Sequence, residues 1–205
     1  LNEVTGNSTS SLKGYTEIYG TKADYVVANP NGITCAGCGF INTGRLSLVT
    51  GSSNIENGDI KNFSMSPSGI IRIEGVGESN FGMRASTSAD LVSNIVQIAG
   101  NVYAGQNLNV LTGNDKYDYK NNSITSTADS RVEIGVDSSA LGGMYAGNIK
   151  IFASQNGFGV NLAGDVVANT DDVEITANGE VVVKNIAAEK DVKILNLGNV
   201  TLNAD

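Results

Sequence analysis

The sequence has no histidine, no tryptophan, two cysteines and two prolines, and no apolar run of the length that crosses a membrane as a helix. Each shortage excludes something. Without histidine there is no Ser-His-Asp triad, no His-ligated zinc and no side chain that titrates unperturbed near neutral pH. Two prolines rule out a proline-rich linker. The 13 Lys and Arg stand against 21 Asp and Glu, giving a net charge of −8, and they are scattered along the chain. A surface of that sign repels phosphate backbones, so nucleic acid is not an expected partner. The chain opens on Leu1 and not on Met. The expectation is therefore a processed or cut piece of something longer, and the lack of a signal peptide says little about compartment.

Glycine and asparagine, with 25 of each among 205 residues, are abundant. They are the two residues that most readily take left-handed turn positions, so many tight turns are implied. Between the turns run short alternating apolar stretches: Leu46-Ser47-Leu48, Leu108-Asn109-Val110, Ile149-Lys150-Ile151, Val173-Glu174-Ile175 and Val192-Lys193-Ile194. Each reads as a half-buried strand. Their first positions lie 62, 41, 24 and 19 residues apart, which fits three, two, one and one turns of a unit of roughly 20 residues. Val173 to Val183 also aligns without a gap on Val192 to Leu202, with matches at 173/192, 175/194, 179/198 and 181/200.

A unit this short holds three brief strands and their turns more comfortably than a strand–helix pair. The expected fold is all-β: one right-handed parallel β-helix over residues 1–205, the hand following from the crossover preference of parallel strands. Residues 1–50 form its motif-bearing segment, 140–205 its regular coils, and 55–88 and 114–139, where the repeat fades, are expected as hairpin excursions. Asp90 to Ala99 places Leu91, Ile95 and Ile98 on one helical face, yet its periodic flanks favour strand.

Cys35-Ala36-Gly37-Cys38 admits three chemistries. Zinc needs four ligands and finds no others. A redox dithiol needs a helix after the first Cys, which Gly37, Gly39 and the β-rich Phe40-Ile41 oppose. A small structural disulfide in an oxidising compartment is the favoured reading. Carboxylate catalysis is set aside as well. Asn169-Thr170-Asp171-Asp172 resembles a paired-acid site, but the four arginines, at 45, 72, 84 and 131, lie beside no acid cluster, and an Asx turn accounts for it. Gly75-Val76-Gly77 lacks the third glycine of a dinucleotide loop. The Asn-x-Ser/Thr sequons at Asn7, Asn62, Asn121 and Asn199 are expected by chance in this composition. No catalysis, metal or cofactor is expected.

The cysteines belong to a longer string, Ala28-Asn29-Pro30-Asn31-Gly32-Ile33-Thr34-Cys35-Ala36-Gly37-Cys38-Gly39-Phe40-Ile41-Asn42-Thr43. Pro30 fixes φ and Gly32 is free to take positive φ, which is strong turn chemistry. As a whole the string resembles the NPNGI motif and the following GGFINT-like segment in the secretion domain of two-partner secretion exoproteins, the filamentous haemagglutinin and contact-dependent growth inhibition family. Leu1-Asn2-Glu3-Val4, Leu12 to Glu17, Ala140 to Ile149 (ALGGMYAGNI) and Gly157 to Asn161 (GFGVN) resemble further segments in the family's order. The family's amino-terminal cap and an earlier NPNL-type motif would precede Leu1.

The resemblance implies a secretion and fold-nucleating region of a large bacterial surface exoprotein, carried to the cell surface by an outer-membrane β-barrel transporter whose periplasmic POTRA domains recognise it. Asn29, Pro30, Asn31, Gly32 and Ile33 would belong to the secretion determinant, with Cys35 and Cys38 paired beside them. A single copy is expected to act. The competing expectation is an adhesin whose flank binds a host or neighbouring-cell receptor, with Tyr117 and Tyr119 as the best exposed aromatic candidates.

Overall fold

The computed structural model describes residues 1–128 and 133–203; Asp129 to Val132, within the second expected excursion, and Ala204-Asp205, at the end of the expected regular coils, lie outside the described residues. Among the described residues every regular element is a strand. The first coil comprises β1 (Asn2–Glu3) and β2 (Ser10–Glu17), the second β3 (Ala23–Ala28) and β4 (Ile33–Ile41). The third runs through β5 (Thr43–Val49), leaves the coil in a hairpin of β6 (Gly51–Glu56) and β7 (Asp59–Met65), and returns as β8 (Ile70–Glu74) and β9 (Phe81–Ala85). β10 (Ser88–Ser93), β11 (Ile95–Ile98) and β12 (Asn101–Ala104) make the fourth. The fifth has β13 (Asn107–Thr112), a second departure through β14 (Lys116–Asp118) and β15 (Ser123–Ile124), then β16 (Glu133–Ser138) and β17 (Met144–Ala146). The regular remainder is β18 (Asn148–Ala153) and β19 (Phe158–Ala168), β20 (Val173–Ala177) and β21 (Val181–Ala188), β22 (Val192–Asn196) and β23 (Val200–Leu202).

Stacking is parallel throughout the coils, and the fold is a parallel β-helix with three faces. On the first face, Val27, Leu48, Leu91, Val110, Ile151, Ile175 and Ile194 pair rung by rung. The second carries Ile33, Ile71, Val96, Val136, Val160, Val181 and Val200 in the same way. β-Branched and leucyl side chains suit these ladders because each inward position stacks on its equivalents above and below, about 4.8 Å away. The alignment of 173–183 on 192–202 is reproduced residue for residue. The ambiguous stretch Asp90 to Ala99 is two strands with a corner at buried Asn94, whose Nδ2 donates to Pro67 O at 2.8 Å.

The count of turns between the strands is corrected. Leu46 pairs with Ala89 and Ala89 with Leu108, so 62 residues span two coils, not three. Leu108 pairs with Ile149, so 41 residues span one coil, not two. The surplus length leaves the solenoid and re-enters it within a single turn. The first departure occupies 51–65, and much of 55–88 is coil; β16, within 114–139, is coil as well.

The two departures meet. β14 pairs antiparallel with β7, giving a four-stranded sheet ordered β15-β14-β7-β6. It lies on the outward side of the first face, where Phe63, Met65, Tyr117 and Ile124 close with Val26, Ala28, Val49, Val92 and Leu111 into a second apolar cluster. At the other end of that sheet Glu3 reaches β6, its carboxylate accepting the Ser53 N–H and Oγ–H, both at 2.7 Å.

Candidate functional site

The motif residues Asn29 to Ile33 make the corner between the first and second faces of the second coil. Gly32 N–H donates to Asn29 O at 3.1 Å, closing a turn with Pro30 at its second position, where a fixed φ suits. Gly32 follows at φ 115°, a conformation that side chains resist, and a Cβ there would also stand 3.1 Å from Ile70 O. Asn29 is fully buried. Its Nδ2 donates to Ser8 O (3.0 Å) and Ser10 Oγ (2.9 Å), and its Oδ1 accepts from Asn31 N–H (2.9 Å) and Asn31 Nδ2 (3.0 Å). Asn31 is exposed, yet its Nδ2 also donates to Gly6 O at 2.7 Å. The Asn29 N–H goes down to Val49 O (2.9 Å), and the Ser10 N–H comes from above to Gly32 O (3.0 Å). One turn therefore clamps three successive coils, and Ile33 begins the second-face ladder immediately after it.

Cys35 and Cys38 form a disulfide inside the solenoid, both side chains buried. They occupy inward rungs: Cys35 pairs with Ile73 and Cys38 with Met83, so here sulfur fills places that other coils give to aliphatic groups. Gly37 turns the corner between them at φ 69°. The closed loop is only four residues long, so chain entropy credits it with about 2 kcal/mol. Replacing both cysteines with alanine is expected to lower the unfolding free energy, read from urea titrations, by at least that amount, because the loss of buried sulfur adds to the loss of the cross-link. Reduction of the wild type should proceed at the rate of unfolding, because no reductant reaches a buried pair; rapid reduction of the folded protein would contradict this placement.

A second polar cluster lies under the four-stranded sheet. Asp90 is buried and pairs with Arg45; its carboxylate also accepts from Ser47 Oγ (2.9 Å) and Asn109 Nδ2 (2.8 Å). Arg45 donates further to Tyr119 O (2.8 Å), Tyr117 Oη (2.7 Å) and Asn122 Oδ1 (3.2 Å), and its guanidinium sits 4.3 Å from the Tyr119 ring centre. Burial would lower the Arg45 pKa, but Asp90 and the two tyrosines reverse that and raise it. Burial pushes Tyr117 far up and Tyr119 up as well. A raised phenol favours the folded state below its ordinary value near 10, an advantage lost as pH rises through the folded value.

Tyr117 is wholly buried, which removes it from any exposed receptor patch: its ring stacks on Phe63, contributed by a strand some fifty residues earlier. The Asn169–Asp172 cluster is a surface turn tied to the next coil. Lys190 pairs with Asp171 (2.9 Å) and Lys193 with Asp172 (2.6 Å), and the hydrogen bond from Lys193 holds the Asp172 carboxyl below its usual value. Among the described residues no group of three or more His, Cys, Asp or Glu is placed to hold a metal.

A three-faced parallel β-helix in which one turn near the amino end clamps three successive coils has the architecture of a β-helical exoprotein secretion module. The chain belongs to the TPS secretion domain family, whose model matches residues 1–183. It is 40% identical over 185 residues to the toxin CdiA of Yersinia pestis, covering 89% of this chain and 6% of the relative. It is 36% identical over 207 residues to the 16S rRNA endonuclease CdiA of Enterobacter cloacae subsp. cloacae, covering 100% and 6%. A solved filamentous hemagglutinin secretion domain superposes with a TM-score of 0.86 at 27% identity, over 98% of this chain and 69% of that one. The chain thus spans about 6% of the length of those CdiA relatives. TPS domains are recognised by an outer-membrane transporter, and proteins that carry them are secreted through the outer membrane to the cell surface.

Proposed function

We propose that this domain is read by the periplasmic POTRA domains of its transporter and that, once outside, it is the nucleus on which following coils of a long exoprotein stack. On this reading Asn29, Pro30, Asn31, Gly32 and Ile33 serve secretion through the fold they build. The observation that carries it is the clamp itself, in which the Asn29 and Asn31 amides are spent on the preceding coil. The domain contributes no catalysis; any nuclease activity of the kind named for the relatives would reside elsewhere in a longer parent. It acts as a single copy. A receptor-binding role loses one of its two aromatic candidates with the burial of Tyr117, while Tyr119 is half-buried.

Asn31→Ala, expressed with the transporter, tests the role of the motif. Because Asn31 is exposed, the variant should fold, and secretion should fall in proportion to its loss of stability. Abolished secretion from a domain of wild-type stability would mean that Asn31 touches the transporter and would sink the fold-mediated reading.

A further inference from the structure

In an ordinary solenoid each coil touches only its neighbours, and stability is a sum of nearest-neighbour terms. This chain breaks that rule with a whole strand pair, beyond single side-chain bonds such as Glu3 to Ser53. The hairpin of the third coil pairs with a strand of the fifth, passing over the fourth, with Phe63 directly opposite Tyr117. The sheet so formed covers Val26 and Ala28 of the second coil, Val49 of the third, Val92 of the fourth and Leu111 of the fifth. The Arg45–Asp90 pair beneath it, one residue from each of the third and fourth coils, takes further partners from Tyr117, Tyr119 and Asn122 of the fifth. Without residues 116–124 a chain folded through its fourth coil would have only the β6–β7 hairpin over Val26, Ala28, Val49 and Val92, and Arg45 would lack three of its four hydrogen-bonding partners.

We propose that docking of the segment 116–124 is a folding checkpoint: coils two to four become stable together, and only once that segment is in place, so the amino-terminal part of the solenoid does not fold coil by coil as it emerges. The coupling is a property of the chain itself and does not depend on the secretion reading. The device delays compaction until about 124 residues are available, and then locks several coils in one step. A half-satisfied buried network costs more than an absent one, which is what makes the step sharp.

Native-state hydrogen exchange on the full chain tests this, comparing wild type with Tyr117→Ala. The informative amides are remote from the four-stranded sheet: Ser86 N–H on Phe40 O and Ala99 N–H on Ile73 O, which join the second, third and fourth coils on their other faces. These should exchange at least tenfold faster in the variant, in step with Thr50 N–H on Val92 O beside the sheet. Val181 N–H on Asn199 O, in the seventh coil, should keep its rate. Acceleration confined to Thr50 and the excursion strands, with Ser86 and Ala99 unchanged, would overturn the checkpoint. Should Tyr117→Ala fail to fold, Asn122→Ala, which removes the Asn122 acceptor from Arg45 and Tyr117 and its Nδ2 donor to Asp90, gives the same comparison at smaller amplitude.

Discussion

Replacing Asp90 with alanine is expected to cost about 3–5 kcal/mol, because it strands a largely buried guanidinium and leaves the Ser47 hydroxyl and the Asn109 amide without their acceptor. The lower end of that range is favoured, since the Arg45 side chain keeps 22% of its exposure and its bonds to Tyr117, Tyr119 and Asn122. Asp90→Asn retains an acceptor at the same place and should cost less. Urea unfolding of the three proteins decides the matter; an alanine variant within 1 kcal/mol of wild type would show that the cluster is solvated and contributes little.

The second large effect is expected at Leu91, at the middle of the first-face ladder between Leu48 and Val110 and fully buried. Leu91→Ala should destabilise by about 2–5 kcal/mol, since the stacked neighbours cannot collapse sideways without breaking their own ladder hydrogen bonds. Leu195, 69% exposed on β22, provides the contrast: its alanine variant should stay within about 0.5 kcal/mol of wild type. Equal losses at the two sites would mean that the coils stack less tightly than the register requires.

How far such features can be read without a structure depends on the range of the interactions behind them. The last two coils are legible because Val, Ile and Leu hold most of their inward positions, Ala177 being an exception, and nothing interrupts the period. The middle coils mislead because a departure of fifteen or more residues inside one turn imitates additional turns of a regular repeat. Lys116-Tyr117-Asp118-Tyr119-Lys120 looks like a solvent-facing segment by its own composition. The burial of Tyr117 within it is imposed by β7, which the local text cannot announce. The NPNGI turn is likewise visible as a turn, while the partners that give it meaning, Gly6, Ser8 and Ser10, sit on another coil and carry no signal beyond being small and polar. For the paired cysteines the excluded alternatives were informative, but their place as ordinary core rungs becomes apparent only when Ile73 and Met83 are seen in the next coil.

The bond from Glu3 to Ser53 has one further consequence. β6 is the outermost strand of its sheet, and a strand in that position offers its free N–H groups to any other extended chain, which is how β proteins come to aggregate. Glu3 occupies one of those donors with a carboxylate, placing both a charge and a competing acceptor where an intruding strand would have to pair. The third residue of this chain thus guards, fifty residues away, against the wrong kind of association.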